Sequence, residues 1–224
     1  EFFRSFELTS RLELLTPEVS YAHPLAPGRS ALAYRSLGRT VEGLGADGAA
    51  WQRLFAPLVE HAAELTSIAG SPVLPPRHLA ALVQLGLRIL HQGTPAWNLG
   101  FRGEEAPALL TGVMAHAIQR LPGLGATAPG LVLATLAHTV GWPIVRGGSG
   151  RIADVLADDL AAHGGLIETD AEVRDLGELD ADLVMLDVTP RAFLQLAGST
   201  LPGGYARMLR RFRYGDGVAK VDLA

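Results

Sequence analysis

The spacing of apolar residues changes along this chain of 224 residues, and that change limits its possible folds more than any other feature. Between residues 37 and 145 apolar residues recur every three or four positions, as at Trp51, Leu54 and Leu58, which predicts helices. In the last third, helical stretches alternate with short continuous apolar runs such as residues 183–186, which are typical of buried strands. The sequence therefore predicts a mixed fold of the α/β or α+β class.

A hairpin is predicted in the first region, where residues 19–25 and 30–36 flank the turn-like tetrad Ala-Pro-Gly-Arg. In the helical region, Pro57 is expected to kink or break the helix that contains Trp51. Residues 79–90 are apolar nearly all round, which is expected of a helix buried on several sides. A core and an apolar substrate tunnel would use the same residues, so periodicity leaves both open.

The longest uncharged stretch runs from residue 121 to residue 145, long enough to raise the question of a membrane span. Prolines and glycines interrupt it, and its continuous helical part is nearer residues 131–140. A buried helix therefore suits this stretch better than a span.

The last region is expected to alternate helices with strands. Ser149 can cap a helix that the glycine pair at 164 and 165 ends, and Pro190 stands where a further helix begins. The strands are predicted at residues 166–173, 183–186 and 218–223.

Composition excludes several function classes. The net charge of −4 gives no overall attraction to nucleic acid, so no nucleic-acid partner is expected. The chain has no cysteine, which excludes disulfides, thiol catalysis and cysteine-ligated metals and fits a cytoplasmic location. The seven histidines show no HxH or HExxH spacing, so no metal site is expected.

Two glycine motifs do not fit the chemistry that their letters suggest. Residues 43–48 match GxGxxG, but a dinucleotide site needs a strand before the glycines. The preceding residues do not look like a strand, so we interpret the motif as one helix end and the next helix start. The sequence Gly147-Gly148-Ser149-Gly150 is not a nucleophile elbow, because GxSxG would need glycine at Arg151.

One long stretch resembles a known family. Residues 140–156 read VGWPIVRGGSGRIADVL, and residues 164–173 read GGLIETDAEV. This order resembles the middle of phytoene-desaturase-like FAD-dependent oxidoreductases, which are relatives of the flavin amine oxidases. Phe2-Phe3, residues 18–36 and residues 207–222 are similar to the group that includes bacterial homologues of pyridine nucleotide-disulphide oxidoreductase domain proteins. The resemblance covers essentially the whole chain in order.

The resemblance implies a role for particular residues. In that family a valine at a strand end contacts the adenine of FAD through its backbone, and the matching residue is Val173. Gly147, Gly148 and Ser149 would belong to the same cofactor-binding region. The family's GxGxxG pyrophosphate loop and C-terminal flavin segment are not found in this sequence, so the chain alone is not expected to hold FAD. Leu186 and Asp187 depart from the family pattern before x-x-Pro, which weakens a cofactor contact at that turn.

Lys220 is the only lysine of the chain, against 18 arginines. Its rarity fits a GC-rich codon bias. The resemblance nevertheless places it where flavin amine oxidases have a lysine that holds a water against flavin N5, so Lys220 is the candidate catalytic residue. The alternative is a structural ion pair with Asp216 or Asp222.

The resemblance also divides the chain by role. Residues 1–36 would be a substrate-domain hairpin, 37–145 a helical substrate or lid region inserted into a mixed sheet, 146–214 a partial FAD-binding α/β segment, and 215–224 a strand that returns to the substrate-domain sheet.

We therefore expect the central part of an FAD-dependent oxidoreductase that removes hydride from a C–C or C–N bond. Its partners would be an apolar small-molecule substrate and the missing N- and C-terminal parts of the same protein, with possible peripheral membrane contact. The alternative is a non-catalytic helical domain that binds an apolar ligand or a protein.

Overall fold

The computed structural model describes residues 2–70 and 78–221 and shows a mixed α+β fold. The chain divides into two compact units, Glu1–Val155 and Leu156–Ala224. The α-helices of the described residues are α1 (Phe2–Ser5), α2 (Leu8–Arg11), α3 (Leu37–Gly43), α4 (Gly48–Glu60), α5 (Ala62–Ala69), α6 (Leu79–Gln92), α7 (Glu105–Met114), α8 (Leu124–Ala137), α9 (Gly150–Ala162), α10 (Pro190–Ala197) and α11 (Gly203–Arg210). Their strands are β1 (Leu14–Leu15), β2 (Val19–Pro24), β3 (Ser30–Tyr34) and β4 (Ile144–Val145).

The predicted hairpin is confirmed. Strands β2 and β3 pair antiparallel, with Ala22 opposite Leu32, and β1 pairs with β4 in a second two-stranded sheet. The turn closes through a hydrogen bond from the Arg29 amide to the Ala26 carbonyl, 2.8 Å, and Gly28 has the positive φ of 76° that this turn requires.

Helices α4, α7 and α8 form the centre of unit 1 together with strand β3. The side chains that they bury most completely are Trp51, Phe55 and Leu58 from α4, Leu109, Leu110 and Val113 from α7, and Leu131 from α8. Alanines 31 and 33 of β3 face the same core. The small alanine side chains let the hairpin pack closely on the helices, so the core fixes which face of the hairpin is buried.

Pro57 lies inside α4, and the helix continues past it to Glu60 before α5 begins at Ala62, so the break falls one turn beyond the proline and not at it. Pro57 has no amide hydrogen to donate to the Arg53 carbonyl one turn earlier. The Arg88 side chain of α6 donates to that carbonyl at 3.2 Å and to the Leu54 carbonyl at 2.7 Å. Arg88 therefore satisfies the backbone group that the proline leaves open, and it joins α6 to α4.

A buried histidine connects three elements of unit 1. The indole N–H of Trp51 donates to His138 Nε2 at 3.0 Å, and His138 Nδ1 lies 2.8 Å from the Tyr34 carbonyl. An indole N–H can only donate and a carbonyl can only accept, so His138 is the neutral tautomer with its hydrogen on Nδ1. Burial lowers the pKa of His138, and its bond to Tyr34 opposes that effect in part. The residue thus holds α4, the end of α8 and β3 together only while it is uncharged.

The interpretation of residues 43–48 is confirmed, since α3 ends at Gly43 and α4 begins at Gly48. A Cβ at Gly48 would lie 2.2 Å from the Val41 carbonyl oxygen, so the glycine allows α3 and α4 to pack closely. Between them the buried Asp47 accepts hydrogen bonds from the amides of Arg102 and Gly103, at 2.7 and 2.8 Å. Gly48 therefore serves helix packing in this fold.

The three predicted strands of the last region are not strands in the structure. Residues 166–173 and 183–186 pair with no other segment in the described part of the chain, and neither do residues 218–221; residues 222 and 223 lie outside it. A strand needs neighbours that bond its amide and carbonyl groups, and the described residues provide none there. The flanking helices form as predicted: α9 ends before Gly164, whose φ is +83°, and α10 begins at Pro190.

The prediction that residues 79–90 are buried on several sides is wrong for one face of α6. Leu79, Val83, Leu87 and Leu90 are each at least half exposed and lie on one side of the helix. We refer to these four residues as the α6 stripe. No helix of the described residues is both long and apolar enough to cross a bilayer, and α8 has only 14 residues.

We expect the stability of unit 1 to fall as the pH drops below about 6.5, the ordinary histidine pKa. The unfolded chain then binds protons that buried His138 does not, which costs up to about 1.4 kcal/mol per pH unit until the lowered pKa is reached. Unfolding by urea at pH 8 and pH 5.5, followed by tryptophan fluorescence, measures this, because all three tryptophans lie in unit 1.

The variant His138→Gln keeps a donor and an acceptor but cannot titrate, so its loss of stability between the two pH values should be smaller. Some dependence should persist, because burial and the nearby charge of His116 also lower the pKa of His23. His78 is exposed, so His78→Asn serves as the control and should lose as much stability between the two pH values as the wild type does. If His138→Gln lost as much stability between pH 8 and pH 5.5 as the wild type does, His138 would not be the buried group that causes the pH dependence.

Candidate functional site

An apolar groove in unit 2 is formed where residues 183–188 lie over α10 and α11. Its volume is about 540 Å³, and it is lined by Leu176, Val184, Leu186, Val188, Pro190, Phe193, Tyr205 and Leu209. Alternate residues of the segment face the groove, as in a strand that packs on helices. The segment thus has the alternating side-chain pattern of a strand, but no other described segment pairs with it.

Helices α10 and α11 give the groove its floor. Phe193 of α10 and Tyr205 of α11 contact each other edge to face, with their ring centroids 6.4 Å apart. The Thr189 hydroxyl caps α10 by accepting the Ala192 amide at 3.2 Å, and Tyr214 Oη accepts the Arg191 amide at 3.0 Å. Local capping therefore fixes the start of α10, although the described part of unit 2 buries no large apolar side chain.

The other face of the same segment is apolar and exposed. Leu183 is 78% exposed and Met185 is 88% exposed, and we refer to these two residues as the outer face. Further along unit 2, Leu166, Val218 and Val221 are each more than 70% exposed. Where such residues form a contiguous patch, the patch marks a surface for a protein, a membrane or a ligand.

Gly147 and Gly148 form the turn between β4 and α9. Their φ angles are +84° and +96°, and the Gly148 amide donates to the Val145 carbonyl at 3.0 Å. Ser149 precedes α9, and its carbonyl accepts the Ile152 amide at 3.0 Å. These three residues lie together in unit 1, and their backbone geometry explains why glycine is needed at both positions.

Val173 and Lys220 both lie in unit 2, outside any helix or strand. Val173 is 37% exposed, beside an ion pair between Arg174 and Glu172. Lys220 is exposed, and Asp222, one of its predicted partners, lies outside the described residues. The strand end that would present the Val173 backbone to an adenine is therefore not formed.

The residues present do not by themselves fit FAD. A pyrophosphate cradle needs a strand, a glycine turn and a helix N-terminus in sequence. The GxGxxG of residues 43–48 instead joins two helices, and Val41 occupies the space beside its last glycine. In the described residues no group of three or more histidine or carboxylate side chains is placed to hold a metal ion.

A second kind of site lies among the helices of unit 1. Gln92, at the end of α6, lines one hollow of about 270 Å³ and another of about 190 Å³. Its side chain is buried, and its Oε1 has no hydrogen-bond partner. Periodicity placed α6 but could not single out Gln92; a polar residue that ends an apolar helix is the only sequence feature that points to it.

Comparisons with models of known protein families, with curated proteins and with solved structures find no match to this chain.

The two faces of residues 183–186 should respond differently to polar substitution. Replacing the outer face, Leu183→Ser with Met185→Ser, should lower the fluorescence of the apolar dye ANS while leaving amide protection in α10 and α11 unchanged. Val184→Ser should reduce that protection, because it removes an apolar contact on the groove worth about 1–2 kcal/mol. Hydrogen exchange measures the protection. Equal destabilisation by both variants would contradict the assignment of faces.

Proposed function

We propose that this chain is the central part of an FAD-dependent oxidoreductase that removes hydride from a C–C or C–N bond of an apolar substrate. The observation that supports the proposal is the outer face of residues 183–186. In a doubly wound flavin domain, a central strand is apolar on both faces and pairs with strands on both sides. Here one face covers α10 and α11, and the outer face is left for other parts of the protein.

The exposed apolar residues occur where the resemblance expects strands. Leu166 and Ile167 belong to one expected strand, and Val218 and Val221 belong to another. A sheet assembled from separated segments would bury all of them, together with the outer face. On this proposal the missing N- and C-terminal parts of the same protein supply the neighbouring strands and the pyrophosphate loop.

Unit 1 would supply the substrate region. Its helices have an apolar core, and the hollow of about 270 Å³ beside Gln92 has no charged side chain in its lining, which suits an apolar substrate. FAD, once held by the complete protein, would accept the hydride. The residues of this chain would contribute an apolar environment that excludes water from the reacting bond.

A second function is favoured by the α6 stripe. Four large apolar side chains at helical spacing on an exposed helix form a surface that a partner helix could cover. The chain would then be a non-catalytic helical domain that binds a protein or an apolar ligand, with unit 2 as a scaffold.

Hydrogen exchange of the protein that the complete coding sequence specifies separates the two functions. The first function predicts visible flavin absorption in that protein. It also predicts that the amides of residues 183–186, which have no strand partner in the 224-residue chain and should exchange rapidly there, become protected because they pair with neighbouring strands. The amides of α10, which should be protected in both proteins because the helix is formed in each, are the internal control. A longer protein without flavin in which only α6 gains protection would support the second function instead, and so would a coding frame limited to these residues.

The role of Lys220 follows from the resemblance and has its own test. In the flavin-loaded longer protein, Lys220→Met should slow reoxidation of the reduced flavin by tenfold or more, an order of magnitude typical for loss of one positioned group (~10–10³-fold). Lys220→Arg keeps the charge but not the compact ammonium, so it should restore the rate only in part. Stopped-flow absorbance measures the rates, and thermal unfolding checks the fold. Unchanged reoxidation in Lys220→Met would exclude the role.

A further inference from the structure

Arg88 is a partly buried arginine whose charge no carboxylate of the described residues balances. It donates from Nε to the Leu54 carbonyl, from Nη1 to the carbonyl and Oε1 of Gln84, and from Nη2 to the Arg53 carbonyl. All of these acceptors are neutral oxygens. Burial lowers the pKa of Arg88, yet a guanidinium stays protonated in proteins. The positive charge is therefore partly withdrawn from water without a counterion from the described residues.

One N–H of this guanidinium is left over. A guanidinium has five N–H donors. The bond to Leu54 uses the hydrogen of Nε, and the two bonds to Gln84 use both hydrogens of Nη1. Nη2 has two hydrogens, of which the Arg53 carbonyl accepts one, and no other described residue accepts the second. Since Arg88 is only partly buried, this donor is open to a ligand.

The smaller hollow beside Gln92, of about 190 Å³, lies at this donor. Arg53 and Leu54 both line it together with Arg88, and their carbonyls hold the guanidinium, so the guanidinium lies at the wall of the hollow. His91 lines it as well, and no aspartate or glutamate does. Arg53 and His91 are exposed, which leaves the hollow open to solvent. No carboxylate of the described residues forms an ion pair with Arg53.

Two guanidinium groups and an imidazole around a hollow without acids favour a bound anion. Arginine donors match the oxygens of phosphate and carboxylate groups, and hydrogen bonds to an ionised acceptor are about twice as strong as neutral ones. The donors come from two helices, with Arg53 on α4 and Arg88 and His91 on α6. Donors that approach from several directions suit a tetrahedral phosphate better than a planar carboxylate. The volume is below the roughly 300–1,000 Å³ of common ligand sites, so the ligand is small.

We propose that this hollow binds a phosphate group, which accepts hydrogen bonds from Nη2 of Arg88 and from the side chain of Arg53 and supplies the missing negative charge. The site lies wholly within unit 1 and is separate from the flavin. The inference therefore goes beyond the proposed function and holds whether or not the complete protein carries a flavin.

Loss of the Arg53 side chain tests the site, because it leaves in place the backbone carbonyl that Arg88 uses. Inorganic phosphate, exchanged for chloride at constant ionic strength, should shift the amide ¹⁵N resonances of Arg53, Gly100 and Phe101 saturably. Arg53→Gln should weaken this binding by about tenfold or more, as expected for one charge-assisted hydrogen bond. The control is Arg120→Gln, at an exposed arginine away from the hollow, which should bind as the wild type does.

Two outcomes of that titration would overturn the proposal. The first is the absence of saturable shifts in the wild type, and the second is an unchanged affinity in Arg53→Gln.

A filling variant tests the location without removing a charge. Ala50 lines the hollow and is partly exposed, so Ala50→Trp should block phosphate binding while the helix remains formed. Ala49 is exposed and does not line the hollow, so Ala49→Trp should bind phosphate as the wild type does. Thermal unfolding checks that both variants fold. Normal binding in a folded Ala50→Trp would overturn the location.

Phenyl phosphate distinguishes a free phosphate ion from a phosphate group carried by a larger molecule. Tighter binding than inorganic phosphate would assign the site to a phosphate ester whose apolar body packs on Leu54 and Phe101, which also line the hollow. Equal or weaker binding would assign it to the free ion. Both probes should compete, and failure of inorganic phosphate to displace phenyl phosphate would overturn the shared site.

Discussion

The hydrogen-bonded path from Trp51 through His138 to Tyr34 determines how unit 1 is assembled. Its three residues come from α4, the end of α8 and β3, which are far apart in sequence. Both ring nitrogens of His138 are used, so the neutral tautomer is the one that fits the packed core. Phe55 packs against two of these residues, with ring-centroid distances of 4.6 Å to Trp51 and 5.5 Å to His138. Moving any of the three elements would leave at least one buried polar group without a partner.

Arg88 also supplies partners for backbone groups, because its side chain connects α6 to α4. Pro57 has no amide hydrogen for the Arg53 carbonyl, and the Arg88 guanidinium of α6 donates to that carbonyl instead. Burial lowers the pKa of Arg88, yet its several donors are used by backbone and side-chain oxygens of α4 and α6. This contact positions α6, and with it both Gln92 and the α6 stripe. The hollow beside Gln92 therefore depends on the hydrogen bonds from Arg88 of α6 to the backbone of α4.

Unit 2 is stabilised differently. The capped helix α10, the short helix α11 and the ring contact of Phe193 with Tyr205 support one apolar face of residues 183–188, while Leu183 and Met185 remain exposed. The two units thus suggest different roles within the proposed oxidoreductase. Unit 1 has a complete core and an internal hollow, and unit 2 presents apolar segments suited to a sheet that other parts of the protein would complete.

The sequence by itself determined the local elements: the hairpin with its Gly28 turn, the end of α9 before Gly164 and the start of α10 at Pro190. Each depends on the backbone preferences of one or two residues, which act wherever the chain goes. It also showed that residues 43–48 join two helices. The strands at 166–173, 183–186 and 218–221 were not predicted correctly, because a strand exists only when another segment bonds to it, and no local pattern contains that partner. The exposure of the α6 stripe, the tautomer of His138 and the unpartnered oxygen of Gln92 were likewise decided by tertiary structure, since each depends on which distant residues approach it.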